Sequence, residues 1–287
     1  MEVSAHTQDE IYTPGYYDRI GALEHTHWWH LGAQRAAKAL LDSVHPTTFP
    51  RVLDAGCGTG GMMAWAQTEL GAGALFGVDL SPDAVRTCSG RNPQWSVQLG
   101  SVMDMPLPDG GFDLVICNDV IQHLPTDGGD LIALKEIRRV LKPGGLLVLR
   151  TNSRQGVQRD PKDHDYDYKR YVRQEVVDLL EQGGFAVRRA TYVNVVGGVH
   201  ETMRRWLHPP HPHHHDHHDH DASASGAELP ERHVYEGLTM RDTATERPTL
   251  NRMLLGLFSV EAAILGRDGA SLPFGHSIVA VGEAPRA

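Results

Sequence analysis

Cysteine is scarce: Cys57, Cys88 and Cys117 are the only three in 287 residues. They are odd in number, and their spacing matches neither a zinc site nor a redox pair, so a reducing cytoplasm suits them. No stretch of the chain approaches the roughly eighteen consecutive apolar residues of a membrane span. Residues 1–10 are polar and acidic, without the basic start and apolar run of an export signal. The expectation is a cytoplasmic protein with no membrane partner. Basic clusters are also missing. The formal net charge is −9, and arginine gathers only in the pairs Arg138-Arg139, Arg188-Arg189 and Arg204-Arg205. A surface that tracks phosphates is therefore not advertised, which disfavours nucleic acid as a partner. Hydrophobic residues make up 40% and charged ones 22%, enough apolar content for a sizeable core in one large or two small soluble domains.

Residues 52–61 (Val-Leu-Asp-Ala-Gly-Cys-Gly-Thr-Gly-Gly) carry the strongest local signal. Val52 and Leu53 read as the apolar end of a parallel strand. Gly56, Gly58 and Gly60 let the backbone turn tightly onto a helix while a ligand approaches where any Cβ would obstruct. The apolar run from Ala74 to Val78 reads as a second strand, ending at Asp79. A carboxylate at that tip can accept hydrogen bonds from both hydroxyls of a ribose. The layout holds a nucleoside.

Which nucleoside is ambiguous at this level, because Gly56, Gly58 and Gly61 also satisfy the GxGxxG spacing of dinucleotide-binding proteins. Asp54 breaks the tie. A carboxylate directly before the turn repels a pyrophosphate and attracts an ammonium, an effect of roughly 4 kcal/mol for unit charges about 4 Å apart at an effective dielectric near 20. The ligand with an adenosine end and a cationic amino-acid end is S-adenosylmethionine (SAM).

Residues 52–150 resemble the core of the class I SAM-dependent methyltransferases, a family with a "DxGCGTG" first motif. Further matches follow in order. Val78-Asp79-Leu80-Ser81 is similar to the second motif, and Gly100-Ser101-Val102-Met103-Asp104-Met105-Pro106 to the segment flanking the adenine. Phe112-Asp113-Leu114-Val115 is similar to the fourth strand, and Leu141-Lys142-Pro143-Gly144-Gly145 to the turn into the fifth. Many relatives carry Asp where Ser101 stands; Ser remains an acceptor. The resemblance implies Asp54, Gly56, Cys57, Gly58, Asp79, Leu80, Ser101, Val102 and Asn118 as cofactor-binding residues, and a small-molecule methyl acceptor whose reacting atom is oxygen, nitrogen or carbon. No metal is implied.

The alternation of short β-branched runs with helical segments reads as βαβ units. Strands are expected at 51–55, 74–78, 95–99, 112–117 and 145–150, with helices near 60–70, 82–89 and 128–141. Beyond them a helix over 175–182 stops at Gly183-Gly184, an extended pattern covers 185–196, and Ser277 to Val281 gives a last strand. The resemblance makes this a Rossmann-like, doubly wound α/β fold: a seven-stranded sheet with an antiparallel last strand. The division expected is a helical lid over 1–48, a core over 49–196, an inserted cap over 197–273 and a final strand and tail over 274–287. Within the cap, Val199 to Leu207 is a short helix candidate. Leu250, Met253, Leu254, Leu257, Val260, Ala263 and Ile264 recur at threes and fours as an amphipathic helix expected to cover the pocket.

Tyr16 to Leu41, within the expected lid, reads as helical. Its "HWWHLGAQR" resembles a signature of relatives associated with natural-product or glycan pathways. This suggests Trp29 as an aromatic face for a sulfonium and Arg35 as a partner for the methionine carboxylate. His123, after the fourth strand and beyond the carboxyl edge where ligands sit in open sheets, is the candidate general base, with a pKa suited to neutral pH. Asp163, His164 and Tyr166 are candidates for lining the acceptor site. Residues 208–221 are rich in His, Asp and Pro. They read as a spacer without fixed geometry, the alternative being a metal-binding loop on a non-catalytic protein of this fold.

Overall fold

The computed structural model describes residues 14–44, 48–154, 169–199 and 247–286. Seven strands form one sheet: β1 (Arg51–Ala55), β2 (Ala74–Asp79), β3 (Ser96–Leu99), β4 (Phe112–Asn118), β5 (Leu141–Asn152), β6 (Ala186–Val193) and β7 (Ser277–Glu283). Their order is β3-β2-β1-β4-β5-β7-β6. The first five run parallel, and β7 inserts antiparallel between β5 and β6. This is the doubly wound seven-stranded sheet expected. The switch point falls between β1 and β4, where chain direction diverges to either side and a crevice opens at the carboxyl ends.

The helices are α1 (Pro14–Leu23), α2 (Trp28–Val44), α3 (Gly61–Glu69), α4 (Pro82–Arg91), α5 (Gly129–Val140), α6 (Arg173–Gln182) and α7 (Pro248–Leu265). Because strand side chains alternate, the two sheet faces bury different residues. Leu53, Val115, Leu147, Leu149 and Ile278 meet α5 and α6 on one face. Val52, Leu114, Ile116, Leu146, Val148 and Val279 meet α2 and α3 on the other. Burying a side chain such as Leu40 or Leu41 of α2 contributes about 1.5–3 kcal/mol, and both are almost completely covered. The same parity extends to the carboxyl edge: Asp54, Asn118, Arg150 and Ser277 continue the α2 face, one each from β1, β4, β5 and β7.

One expectation is refined and one needs correction. The N-terminal segment expected to be helical forms two helices, α1 and α2, with a break around Glu24 to His27. There the Glu24 carboxylate accepts from the Thr59 hydroxyl at 2.5 Å and pairs with Arg91 at 2.9 Å. The seven-residue stripe read on the cap helix is only partly the buried face of α7. Asn251, Leu254, Phe258, Glu261, Ala262 and Leu265 are buried, whereas Met253, Leu257, Val260 and Ile264 are exposed. Polar anchors set the rotation. Asn251 accepts from the Trp28 N–H and donates to the Thr26 carbonyl, and Glu261 accepts from the N–H groups of Asn194 and Val195. Phe258 fills the space above Gly32, where an added Cβ would lie 2.4 Å from its ring, so α2 and α7 pack as one layer. The histidine-rich tract, most of the 199–207 helix candidate and Asp163, His164 and Tyr166 lie outside the described residues.

Candidate functional site

The glycine turn leaves β1 with Gly56, Gly58 and Gly60 all at positive φ (84°, 51° and 86°). Two of these positions are also sterically closed. A Cβ on Gly56 would lie 2.3 Å from Val120 of the loop after β4, and one on Gly60 would lie 2.7 Å from the Cys88 sulfur. At Gly58 a Cβ would meet nothing within 4 Å, so the turn faces open space there. The N–H groups of the turn are consumed internally. Gly56 and Cys57 both donate to the Val78 carbonyl, at 2.7 and 3.0 Å, and Gly58 donates to Asp79 Oδ2 at 2.8 Å. A turn that holds a pyrophosphate does so with free N–H groups. Residues 56–58 have none to give.

Carboxylates surround the same turn. Asp54 is buried, and its Oδ1 has no hydrogen-bond partner among the described residues. Burial first, and then the neighbouring Cys88, Asp79 and Glu24, hold its carboxyl well above the usual range. Asp79 also titrates high: burial outweighs the opposing hydrogen bonds from the N–H groups of Ser81, Gly58 and Leu80. Both groups therefore gain from a cation that restores their charge. The sign is definite: a cationic ligand binds the ionised forms, so its affinity weakens as pH falls through the raised titration range of these carboxyls, above the ordinary carboxylate pKa. Isothermal titration across that range checks this, and affinity independent of pH would contradict it.

Leu80, beside Asp79, is 59% exposed, an apolar side chain placed to meet a base. Val102 is buried, and the Ser101 hydroxyl accepts from the Met103 N–H at 3.1 Å while keeping its own proton to donate. Cys57 turns its sulfur under the turn toward Gly77, and the Cys88 hydrogen bond, followed by burial, raises its pKa. It is packing, not a reactive thiol. The contact of Glu24 with Thr59 fastens α1 over this turn. Glu24→Gln should loosen it, seen as faster amide exchange across residues 14–24 with the sheet unchanged; unaltered exchange would show that α1 is held by other contacts.

Across the crevice, Asn118 ends β4 and Asp119 follows at a positive φ of 59°, with Asn118 Nδ2 3.5 Å from Asp119 Oδ2. The chain then makes a short 3-10 turn over Ile121–His123. It is pinned by Thr151 donating to the buried Gln122 amide oxygen at 2.9 Å. His123 is half-buried; burial lowers its pKa, and Asp119 opposes that only in part. The imidazole is thus neutral near pH 7, the form a base requires.

Two lid residues have other partners than expected. The cation over the Trp29 ring is Arg150, at 5.2 Å, and its edge contact is His276 at 4.8 Å. Arg35 is exposed and donates to Ser259 Oγ and the Leu255 carbonyl on α7, so its guanidinium ties lid to cap. Sequence reasoning missed Glu24, Asp119 and Arg150. For Arg150 a signal existed: it ends the otherwise apolar run Leu146 to Leu149. Glu24 had no signal, since its partners are distant in sequence.

An open doubly wound sheet with an acidic, N–H-depleted glycine turn at its switch point defines a nucleoside-binding protein selective for a cation-bearing ligand. A family model for a methyltransferase domain matches residues 53–149. The ubiquinone biosynthesis O-methyltransferase of Xanthomonas axonopodis pv. citri (strain 306) is 31% identical over 166 residues, covering 54% of this chain and 67% of that protein. Its counterpart in Xanthomonas campestris pv. campestris (strain B100) is 35% identical over 149 residues, 48% of this chain and 60% of that one. The chain thus spans only about three fifths of that relative's length. Among solved structures, Haemonchus contortus phosphoethanolamine N-methyltransferase 2 in complex with SAM superposes with a TM-score of 0.58 at 16% identity, covering 97% of this chain and 59% of that one. The chain belongs to the class I SAM-dependent methyltransferase family. Its residues fit that cofactor: the orphaned Asp54 oxygen suits a cationic group, Asp79 a ribose, Leu80 a base, and the open space at Gly58 the body of the ligand.

Proposed function

We propose that this protein is a cytoplasmic SAM-dependent methyltransferase acting on a small organic acceptor at oxygen, nitrogen or carbon, and not on nucleic acid. The observation that carries the reading is the buried Asp54 oxygen, without a hydrogen-bond partner among the described residues, beside a turn whose N–H groups at residues 56–58 are already spent. The proteins named above are, by their names, an O-methyltransferase of ubiquinone biosynthesis and a phosphoethanolamine N-methyltransferase, which supports a small-molecule acceptor. Among the described residues no helix is long and apolar enough to cross a membrane.

When bound, SAM supplies a methyl group already activated by its sulfonium. The protein's task is then alignment, which can be worth effective molarities of roughly 10⁵–10⁸ M. Asp54 would hold the cationic amino-acid end of the donor and Asp79 its ribose, with Leu80, Ser101 and Val102 placed to receive the base and Asn118 the amino-acid end. His123 accepts the acceptor's proton where the nucleophile is a hydroxyl or protonated amine.

Calorimetric titration with SAM, followed by transfer of labelled methyl from SAM into pooled metabolites, tests the proposal; no SAM binding by the full chain would end it. For His123→Ala, turnover should fall on the order of 10²-fold or more with SAM affinity retained. Normal turnover in that variant would remove His123 as the base.

A further inference from the structure

Arg150 is 5% exposed at the carboxyl end of β5. Its one ion pair among the described residues is Nη1 to Asp119 Oδ2 at 3.2 Å, longer than the roughly 2.7–2.9 Å of a well-formed charge-assisted bond. A guanidinium carries five N–H donors, and the buried Nε of Arg150 has no hydrogen-bond partner among the described residues. A buried cation with unmet donors is costly unless something fills them.

A second unmet group stands beside it. Ser277 is fully buried, and its Oγ also lacks a partner among the described residues. The register sets Arg150 opposite Val279, so Ser277 is its diagonal neighbour on the same face, about 7–8 Å away between Cα atoms. Trp29 of α2 covers Arg150, its ring over the guanidinium at 5.2 Å. His30, the next residue, is pushed down to about 3, by burial first and then by Arg150 and His27. It is neutral near pH 7 and brings no competing charge.

The position relative to the donor is informative. Asp54 and Arg150 share a sheet face, separated by β4, so their strands lie about 10 Å apart. Asn118 of β4 is aligned with Arg150 between them. One side of the crevice is therefore anionic and built for a cation, and the other ends in an underused cation.

We infer that Arg150, with Ser277, anchors a carboxylate or phosphate group on the methyl acceptor. This rests on the methyltransferase reading above and adds a substrate class: an acceptor bearing an oxyanion about one small-molecule length from its reacting atom. Asp119 does not fill the role. One carboxylate on Nη1 leaves Nε free, and Asp119 itself has a buried oxygen without a partner among the described residues.

The test uses the full chain saturated with SAM and the nitrogen-detected Nε–H resonances of its arginines, with that of Arg150 assigned by its absence in Arg150→Lys. Benzoate and inorganic phosphate are titrated separately. A saturable shift of the Arg150 resonance is expected with at least one, and Ser277→Ala should weaken that binding several-fold. Response to benzoate alone assigns a carboxylate, and response to phosphate alone a phosphate. No saturable shift with either anion overturns the inference, as does a shift that Ser277→Ala and Arg150→Gln leave untouched at other resonances. SAM affinity in Arg150→Lys should stay within about twofold of the parent, whereas a loss of about tenfold (roughly 1.4 kcal/mol) would place Arg150 in the donor site and overturn it. Because SAM binding is read independently, failure of the anion arm leaves the methyltransferase proposal standing.

Discussion

Asp79→Ala is expected to weaken SAM binding at least tenfold by calorimetry, a loss of about 1.4 kcal/mol or more. Two effects add. The substitution removes the carboxylate proposed to accept from the ribose hydroxyls. It also frees the Gly58 and Ser81 N–H groups, which donate to Asp79 Oδ2 and Oδ1 at 2.8 and 2.9 Å, so the turn loses the brace that sets Gly58 at positive φ. Asp79→Asn separates the two: its amide oxygen can still brace one N–H, so its deficit should be smaller. Unchanged affinity in Asp79→Ala would show that the ribose is held elsewhere.

Asp54→Asn should move stability and binding in opposite directions. In the free protein the Asp54 carboxyl is buried, unpartnered on one oxygen among the described residues and close to Asp79 and Glu24. A carboxyl whose folded pKa lies above its unfolded value destabilises the fold as pH rises through that interval, because the unfolded chain releases the proton more readily. Asparagine removes the burden, so the ligand-free variant should melt above the parent near neutral pH. SAM binding should fall by about tenfold or more, since the ammonium loses its counter-charge, and the pH dependence of the remaining affinity should flatten. Coincident losses of melting temperature and SAM affinity would make Asp54 a structural residue and sink its assignment. The expected pattern is that of a site whose charges are arranged for the ligand at the expense of the free fold.

The predicted strands at 51–55, 74–78 and 112–117 match β1, β2 and β4 to within a residue, because buried parallel strands read as continuous apolar runs between glycine and polar breaks. β5 begins earlier than expected, at Leu141, since the register shift between Phe112 and Leu114 lets the segment through Lys142-Pro143-Gly144 join the ladder. The α7 face was misread because hydrophobic periodicity weights Met253 and Val260 above Asn251 and Glu261. The latter are the buried ones, and a polar side chain is buried readily when it caps backbone N–H groups of another element.

By itself the sequence determined the nucleoside cradle. The glycine turn, Asp54 and Asp79 are local in the chain, and their chemistry follows from conformational freedom and charge sign at fixed spacing. Only the tertiary structure decided what faces that cradle. The Glu24 contact with Thr59, the Arg35 tie to α7, the Trp29 ring over Arg150 and the register that sets Ser277 diagonal to Arg150 join residues scores to hundreds of positions apart. Such contacts are set by strand order, face parity and helix rotation, to which local pattern is blind. The donor side could therefore be read from short-range rules, while the anion anchor proposed at Arg150 emerged only when the sheet brought β5 and β7 together beneath α2.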